Sequence, residues 1–165
     1  MSVRAGVAAP SLRNIVIWGN HSATQYAMAE HATVEEGTTV EGVAAMLGDG
    51  AVAWMQRELV PSVQQRGKAV IEARGASSAS SAASAICDHM RDWWLGSDGR
   101  VVSMAVPSEG NPYGVADGLI FSFPVITEAG GKWRFADGFT LDEHAKSCIA
   151  ASQAELEEER VAATT

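Results

Sequence analysis

The sequence predicts an α+β domain in which long helices pack on antiparallel strands, and three observations lead to that class. The β-rich segments Val101 to Val106, Leu119 to Ile126 and Lys132 to Phe135 follow one another with no helix between them, and Ala129-Gly130-Gly131 supplies a tight turn between the last two. Val52, Met55, Leu59, Val63, Val70 and Ile71 recur at the three-, four- and seven-residue spacing of an apolar helix face. Strands and helices do not alternate strictly, which disfavours a doubly wound parallel sheet.

Taken in order, Asn14 to Trp18 is short and β-branched, and reads as a buried strand that ends at a turn opened by Gly19. Ala32 to Val40 reads as a hairpin around Glu36-Gly37, since Thr and Val flank a turn dipeptide. The helix from Val52 to Arg74 is expected to bend or break near Pro61 and again at Gly67. Ser77 to Ser84 is rich in Ser and Ala and reads as the packed start of a second helix. That helix runs from about Ser78 to Leu95, with a serine cap and Gly96 as its stop. Thr140-Leu141-Asp142-Glu143 has the form of a capping box. It opens a last helix whose inward stripe is Leu141, Ala145, Cys148, Ile149, Ser152 and Leu156.

Composition narrows the classes of function. Twelve basic against twenty acidic residues give a net charge of −8, which opposes binding to nucleic acid or to an anionic membrane surface. Apolar runs are far shorter than the ~20 residues a membrane span needs, so no membrane association is expected and the chain reads as intracellular. Cys87 and Cys148 form no C-x-x-C pair and are expected to be buried thiols in a reducing compartment.

The residue with the clearest chemistry is His21. It stands just past the carboxyl end of a predicted strand, where sheet enzymes mount catalytic groups, and imidazole is the side chain suited to proton exchange near neutral pH. His31 beside the predicted hairpin, and His89 and His144 inside helices among charged residues, read as solvated or capping groups. Asp88, His89 and Asp92 do not share one helix face, so no metal site is assigned. Gly48-Asp49-Gly50-Ala51-Val52-Ala53 satisfies G-x-G-x-x-G/A, with Glu72 at about the distance of a ribose ligand. No β-rich run precedes it and Glu72 falls within a helix, so it reads as a loop and a helix start. No Walker-type phosphate loop, G-x-S-x-G turn or H-E-x-x-H is present.

The segment Asn14-Ile15-Val16-Ile17-Trp18-Gly19-Asn20-His21-Ser22-Ala23-Thr24-Gln25-Tyr26 closely resembles the catalytic-histidine segment of cytosolic-type malate dehydrogenase, in the lactate/malate dehydrogenase family. The stretch from Gln64 to Ala83, Ala85-Ile86-Cys87-Asp88-His89-Met90-Arg91-Asp92-Trp93-Trp94, Val102 to Val106, Tyr113-Gly114 and Phe121 to Val125 match the family in order and spacing. The resemblance covers about Leu12 to Glu159. It implies that His21 donates a proton to the carbonyl oxygen of oxaloacetate as hydride arrives from NADH, and recovers it in malate oxidation. It also implies that Ser77 or Ser78 lines the substrate pocket. One of these serines would in any case cap the helix, and a hydroxyl there sits beside free N–H groups that favour an anion.

The resemblance further implies that all 165 residues form a single C-terminal catalytic, substrate and dimerisation domain, without the Rossmann domain. The NAD-binding fold, the substrate-clamping arginines and the aspartate that pairs with the histidine belong to the family's first half, so NAD is expected to bind mainly outside this chain and the isolated chain to be inactive. The implied protein is a cytoplasmic, homodimeric, NAD-dependent enzyme acting on malate and oxaloacetate, and helix faces left uncovered in the lone domain are expected to drive oligomerisation. The alternative is a catalytically silent interaction module that keeps the fold. The acidic end, Glu155 to Glu159, reads as the wet face of the last helix.

Overall fold

The computed structural model describes residues 1–164. A short helix, α1 (Ser2–Ala5), leads into β1 (Leu12–Arg13), β2 (Val16–Trp18), β3 (Tyr26–Met28), β4 (Thr33–Glu36) and β5 (Thr39–Gly42). Strands β1, β4 and β5 form one antiparallel sheet in that order, and β2 pairs antiparallel with β3. The β4–β5 hairpin turns where the sequence places it, with Gly37 at φ 61. The β2 strand starts two residues later than expected. Asn14 sits in the left-handed region at φ 58, which asparagine tolerates and a strand does not.

The expected three-stranded antiparallel unit is present as β6 (Val102–Pro107), β7 (Ile120–Glu128) and β8 (Lys132–Phe135), with β7 in the centre. The turn between β7 and β8 uses Gly130 at φ 83 and Gly131 at φ 79. Phe121, Phe123 and Val125 alternate along β7 and are fully buried. With Trp18, Tyr26, Met104, Val106, Ala145 and Ile149 they form the main core, in which each large apolar side chain contributes roughly 1.5–3 kcal/mol. A smaller core of Ala29, Ala32, Val34, Val43 and Met55 lies under the hairpin sheet. The β2 strand is fastened to the large sheet by serines: Ile17 N–H donates to Ser103 Oγ at 2.9 Å, and Ser122 Oγ donates to the Ile17 carbonyl at 2.6 Å.

The helical region comprises α2 (Val43–Leu47), α3 (Ala51–Trp54), a π-helical turn at Met55–Leu59, α4 (Val60–Gln64) and α5 (Arg66–Arg74). The irregularity anticipated at Pro61 lies just ahead of it. Val60 N–H reaches back five residues to the Met55 carbonyl. Pro61 has no N–H and its ring crowds the carbonyl of Arg57, so the ladder widens before the proline. The second break falls at Gln65, with ψ −2, rather than at Gly67.

Helix α6 (Ala79–Leu95) stops at Gly96 as expected, and Ser78 occupies its N-cap position, but the Ser78 side chain makes no capping hydrogen bond. The start of α6 is not packed: Ser80 to Ser84 are exposed, and so is Cys87, against the expectation of a buried thiol. The sheet grips only the last turn, where the Asp92 carbonyl accepts from Thr127 Oγ1 at 2.7 Å and the Trp94 carbonyl accepts from Gly130 N–H at 2.9 Å. Ile86, Met90, Trp93, Trp94 and Leu95 are therefore exposed along α6.

The last helix, α7 (Glu143–Thr164), begins later than the Thr140 box predicts. Asp142 is the cap: its Oδ1 accepts the Ala145 N–H at 2.7 Å, and its carbonyl accepts the Lys146 N–H at 3.0 Å. A carboxylate at that position satisfies a free donor and complements the positive end of the helix dipole, so it prevails over threonine. The inward stripe holds, with Ala145, Ile149 and Ser152 buried and Leu141, Cys148 and Leu156 partly buried.

Candidate functional site: the His21 turn

Trp18 is fully buried against Tyr113, at a ring distance of 4.8 Å, so the end of β2 emerges from the core at a fixed point. Gly19 follows, pairing with Ser122 through two backbone hydrogen bonds of 3.1 Å. Gly19 has φ 89, and a Cβ there would lie 2.1 Å from Ser152 Oγ, so this position requires glycine both for conformation and for space. His21 comes two residues later, in an exposed bend, and none of the described residues hydrogen-bonds to its imidazole. The ring is free to meet a partner from solvent.

The turn around it is held by α7. Asn20 N–H donates to Ser152 Oγ at 2.8 Å, and Asn20 Nδ2 donates to Glu159 Oε1 at 2.9 Å. Ser22 Oγ donates to Glu155 Oε2 at 2.5 Å. Thr24 Oγ1 lies within hydrogen-bond reach of that same carboxylate oxygen and of Ser152 Oγ, and Thr24 N–H donates to Ser22 Oγ at 3.0 Å. The hydroxyls of Ser22, first, and of Thr24 hold the Glu155 carboxyl below the usual carboxylate range. On the other flank, Gln64 Nε2 donates to the Gln25 carbonyl at 2.9 Å and ties the turn to α4.

This corrects the view of Glu155 to Glu159 as merely a wet face. Glu155 is half-buried and grips the turn. Ser152, Glu155 and Glu159 were missed as site residues, although their spacing of three and four places all three on one side of α7, beside the inward stripe. Ser77 is exposed and Ser78 half-buried at the start of α6. The Ser78 carbonyl accepts from Ser81 N–H at 3.0 Å, and among the described residues no hydrogen bond or ion pair joins either serine to His21. The histidine and the two serines thus stand on separate elements.

Gly48 and Gly50 lie between two short helices, α2 and α3, rather than after a strand, so this segment does not form the strand–turn–helix cradle of a dinucleotide site. Asp88 pairs with Arg91 and Asp92 with Arg100, each at 2.9 Å, and among the described residues no group of three or more His, Cys, Asp or Glu is placed to hold a metal ion. A separate cavity of about 270 Å³ is lined by Tyr26, Met28, Glu30, His31, Val52, Thr140 and Asp142 and does not include His21. Burial, and then the Glu30 carboxylate that accepts from its hydroxyl, raises the Tyr26 phenol above its ordinary value, so the phenol keeps its proton.

Residues 1–164 match the family model of the lactate/malate dehydrogenase alpha/beta C-terminal domain. The chain belongs to the lactate/malate dehydrogenase family. It is 47% identical over 161 residues to the cytoplasmic malate dehydrogenase of Caenorhabditis elegans, covering 97% of this chain and 47% of that protein. It is 44% identical to the cytoplasmic malate dehydrogenase of Homo sapiens, over 99% of this chain and 48% of that protein. Among solved structures it superposes on the malate dehydrogenase of Naegleria fowleri with a TM-score of 0.83 and 38% identity, over 96% of this chain and 46% of that one. The Trichomonas vaginalis lactate dehydrogenase in complex with NADH and oxamate gives a TM-score of 0.89 at 28% identity, over 99% of this chain and 49% of that one. The chain spans about half the length of the curated relatives it matches. The resemblance carried by the His21 segment and the α+β class expected from the strand and helix pattern are both borne out.

Proposed function

We propose that this chain is the substrate- and proton-handling C-terminal half of a cytoplasmic, NAD-dependent malate dehydrogenase that interconverts malate and oxaloacetate. His21 is its acid and base. In reduction it gives its proton to the carbonyl oxygen that becomes the malate hydroxyl, and in oxidation it takes that proton back. The observation that carries this reading is the placement of His21 at the mouth of a buried strand, exposed and free of any bond from the described residues, on a turn anchored by its neighbours. Ser77 or Ser78, at the amino end of α6, assists a substrate carboxylate, aided by the free N–H groups of that helix start. The dinucleotide falls mainly to residues outside this chain, which spans about half the length of its curated relatives and whose one G-x-G-x-x-A segment joins two helices rather than a strand and a helix. The lone chain is therefore inactive.

The test is oxaloacetate-dependent NADH oxidation by the chain alone and by the chain mixed with the amino-terminal half of a relative. Activity in the mixture that disappears in His21→Ala supports the reading, and silence in both refutes it for this molecule. A second reading, an interaction module without catalysis, is favoured by the exposed apolar side chains of α6. On either reading the chain self-associates, and light scattering that shows a monomer at high concentration refutes that part.

A further inference from the structure

We propose that Ser152 and Glu155 on α7 are positioning residues for His21, locking the turn that carries it through bonds to the residues on either side of the imidazole. This rests on the reading of His21 as the proton carrier. Three observations converge on it. Ser152 Oγ is wholly buried and accepts the backbone N–H of Asn20, immediately before His21. Glu155 accepts the hydroxyl of Ser22, immediately after it, and lies within reach of Thr24 Oγ1. The space at Gly19 is kept open for Ser152, since any Cβ there would collide with its hydroxyl.

The arrangement is economical for an exposed catalytic group. Among the described residues none bonds to the imidazole, so what this chain contributes to its direction comes through the backbone on which it rides, and that backbone is bound on both sides to one helix. A carboxylate accepting two hydroxyls forms stronger bonds than a neutral acceptor would, and it does so without touching the ring. Ser152 and Glu155 act through Asn20, Ser22 and Thr24 rather than on the reacting atoms.

Amide hydrogen exchange on the full chain tests this directly. Glu155→Ala and Ser152→Ala are expected to speed exchange at Asn20 and Thr24 by about tenfold, while β6 and β7 stay within about twofold of the parent. Glu155→Gln, which keeps an acceptor oxygen, restores most of the protection, and Ser22→Ala removes the same bond from the loop side should an α7 variant fold poorly. In the mixture with the amino-terminal half, Glu155→Ala lowers kcat about tenfold with KM nearly unchanged, and Glu155→Gln recovers most of that loss. Unchanged exchange at Asn20 and Thr24 overturns the clamp. A loosened turn with unaltered kcat overturns the positioning role. Silence of the unaltered mixture overturns the dehydrogenase reading instead, and with it the role in catalysis.

Discussion

Replacing Gly19 with alanine should be among the most destabilising single-methyl additions available to this chain, and the geometry gives its size. At φ 89 an alanine backbone is strained by about 1–2 kcal/mol. The added Cβ would stand 2.1 Å from Ser152 Oγ and 2.6 Å from Ser152 Cβ, and Ser152 is fully buried, so it has no open space to rotate into. Forcing it aside adds roughly 1–3 kcal/mol, part of which is the lost acceptor for Asn20 N–H. A total near 2–5 kcal/mol should appear as a clear drop in the urea midpoint, followed by far-ultraviolet circular dichroism. Combining Gly19→Ala with Ser152→Gly removes the clashing atoms but leaves the strain. In a double-mutant cycle the pair should therefore be less damaging than the sum of its parts, by about 1 kcal/mol or more. Strict additivity, or a Gly19→Ala midpoint equal to that of the parent, would refute the close-packed account of the turn.

Other substitutions test separate parts of the argument. Because the Glu155 carboxyl is held below its ordinary value of 4.5 in the folded chain, its contribution is fully present above that pH and is lost as pH falls through the lower folded value. Glu155→Gln should therefore flatten the fall of stability below about pH 4.5 in denaturation measured across pH, and an unchanged acid limb counts against the bonds from Ser22 and Thr24. Asp142→Ala should cost about 1 kcal/mol by loss of the α7 cap, whereas Thr140→Ala should cost almost nothing, and the reverse order in thermal unfolding would return the cap to Thr140. Tyr113→Phe removes the hydroxyl that donates to the Ala136 carbonyl and should lower stability by about 0.5–1.5 kcal/mol. It should also abolish the phenol titration, which burial has pushed up to about 12. His21→Ala should leave the unfolding free energy from urea denaturation unchanged within about 0.5 kcal/mol, since the ring is exposed and unbonded, and a larger fall would mean that it serves the fold.

Strands and turns were legible where the signal is local. Val16 to Trp18 and the hairpin at Gly37 follow from β-branched runs bounded by glycine, and the β6–β8 meander follows from three such runs in succession. The inward stripe of α7 was equally clear, because helical period and burial coincide there. Local competition defeated two details. Asp142 outbid Thr140 as a cap, and the missing N–H of Pro61 produced a π turn ahead of the proline instead of a simple bend. Cys87 and the serine-rich start of α6 are packed on the sequence reading, yet whether a helix face is covered depends on what lies against it, and among the described residues the sheet's hydrogen bonds reach only the last turn of α6.

By itself the sequence determined the class of the domain, the position of His21 past a strand end and the family carried by its neighbours, since each of these depends on residues close together along the chain. The tertiary structure alone decided what holds that histidine in place. Ser152 and Glu155 lie about 130 residues from the turn they grip, and no spacing rule connects them to it. Only when α7 packs under the end of β2 do an acidic helix face and a polar turn become one hydrogen-bonded unit.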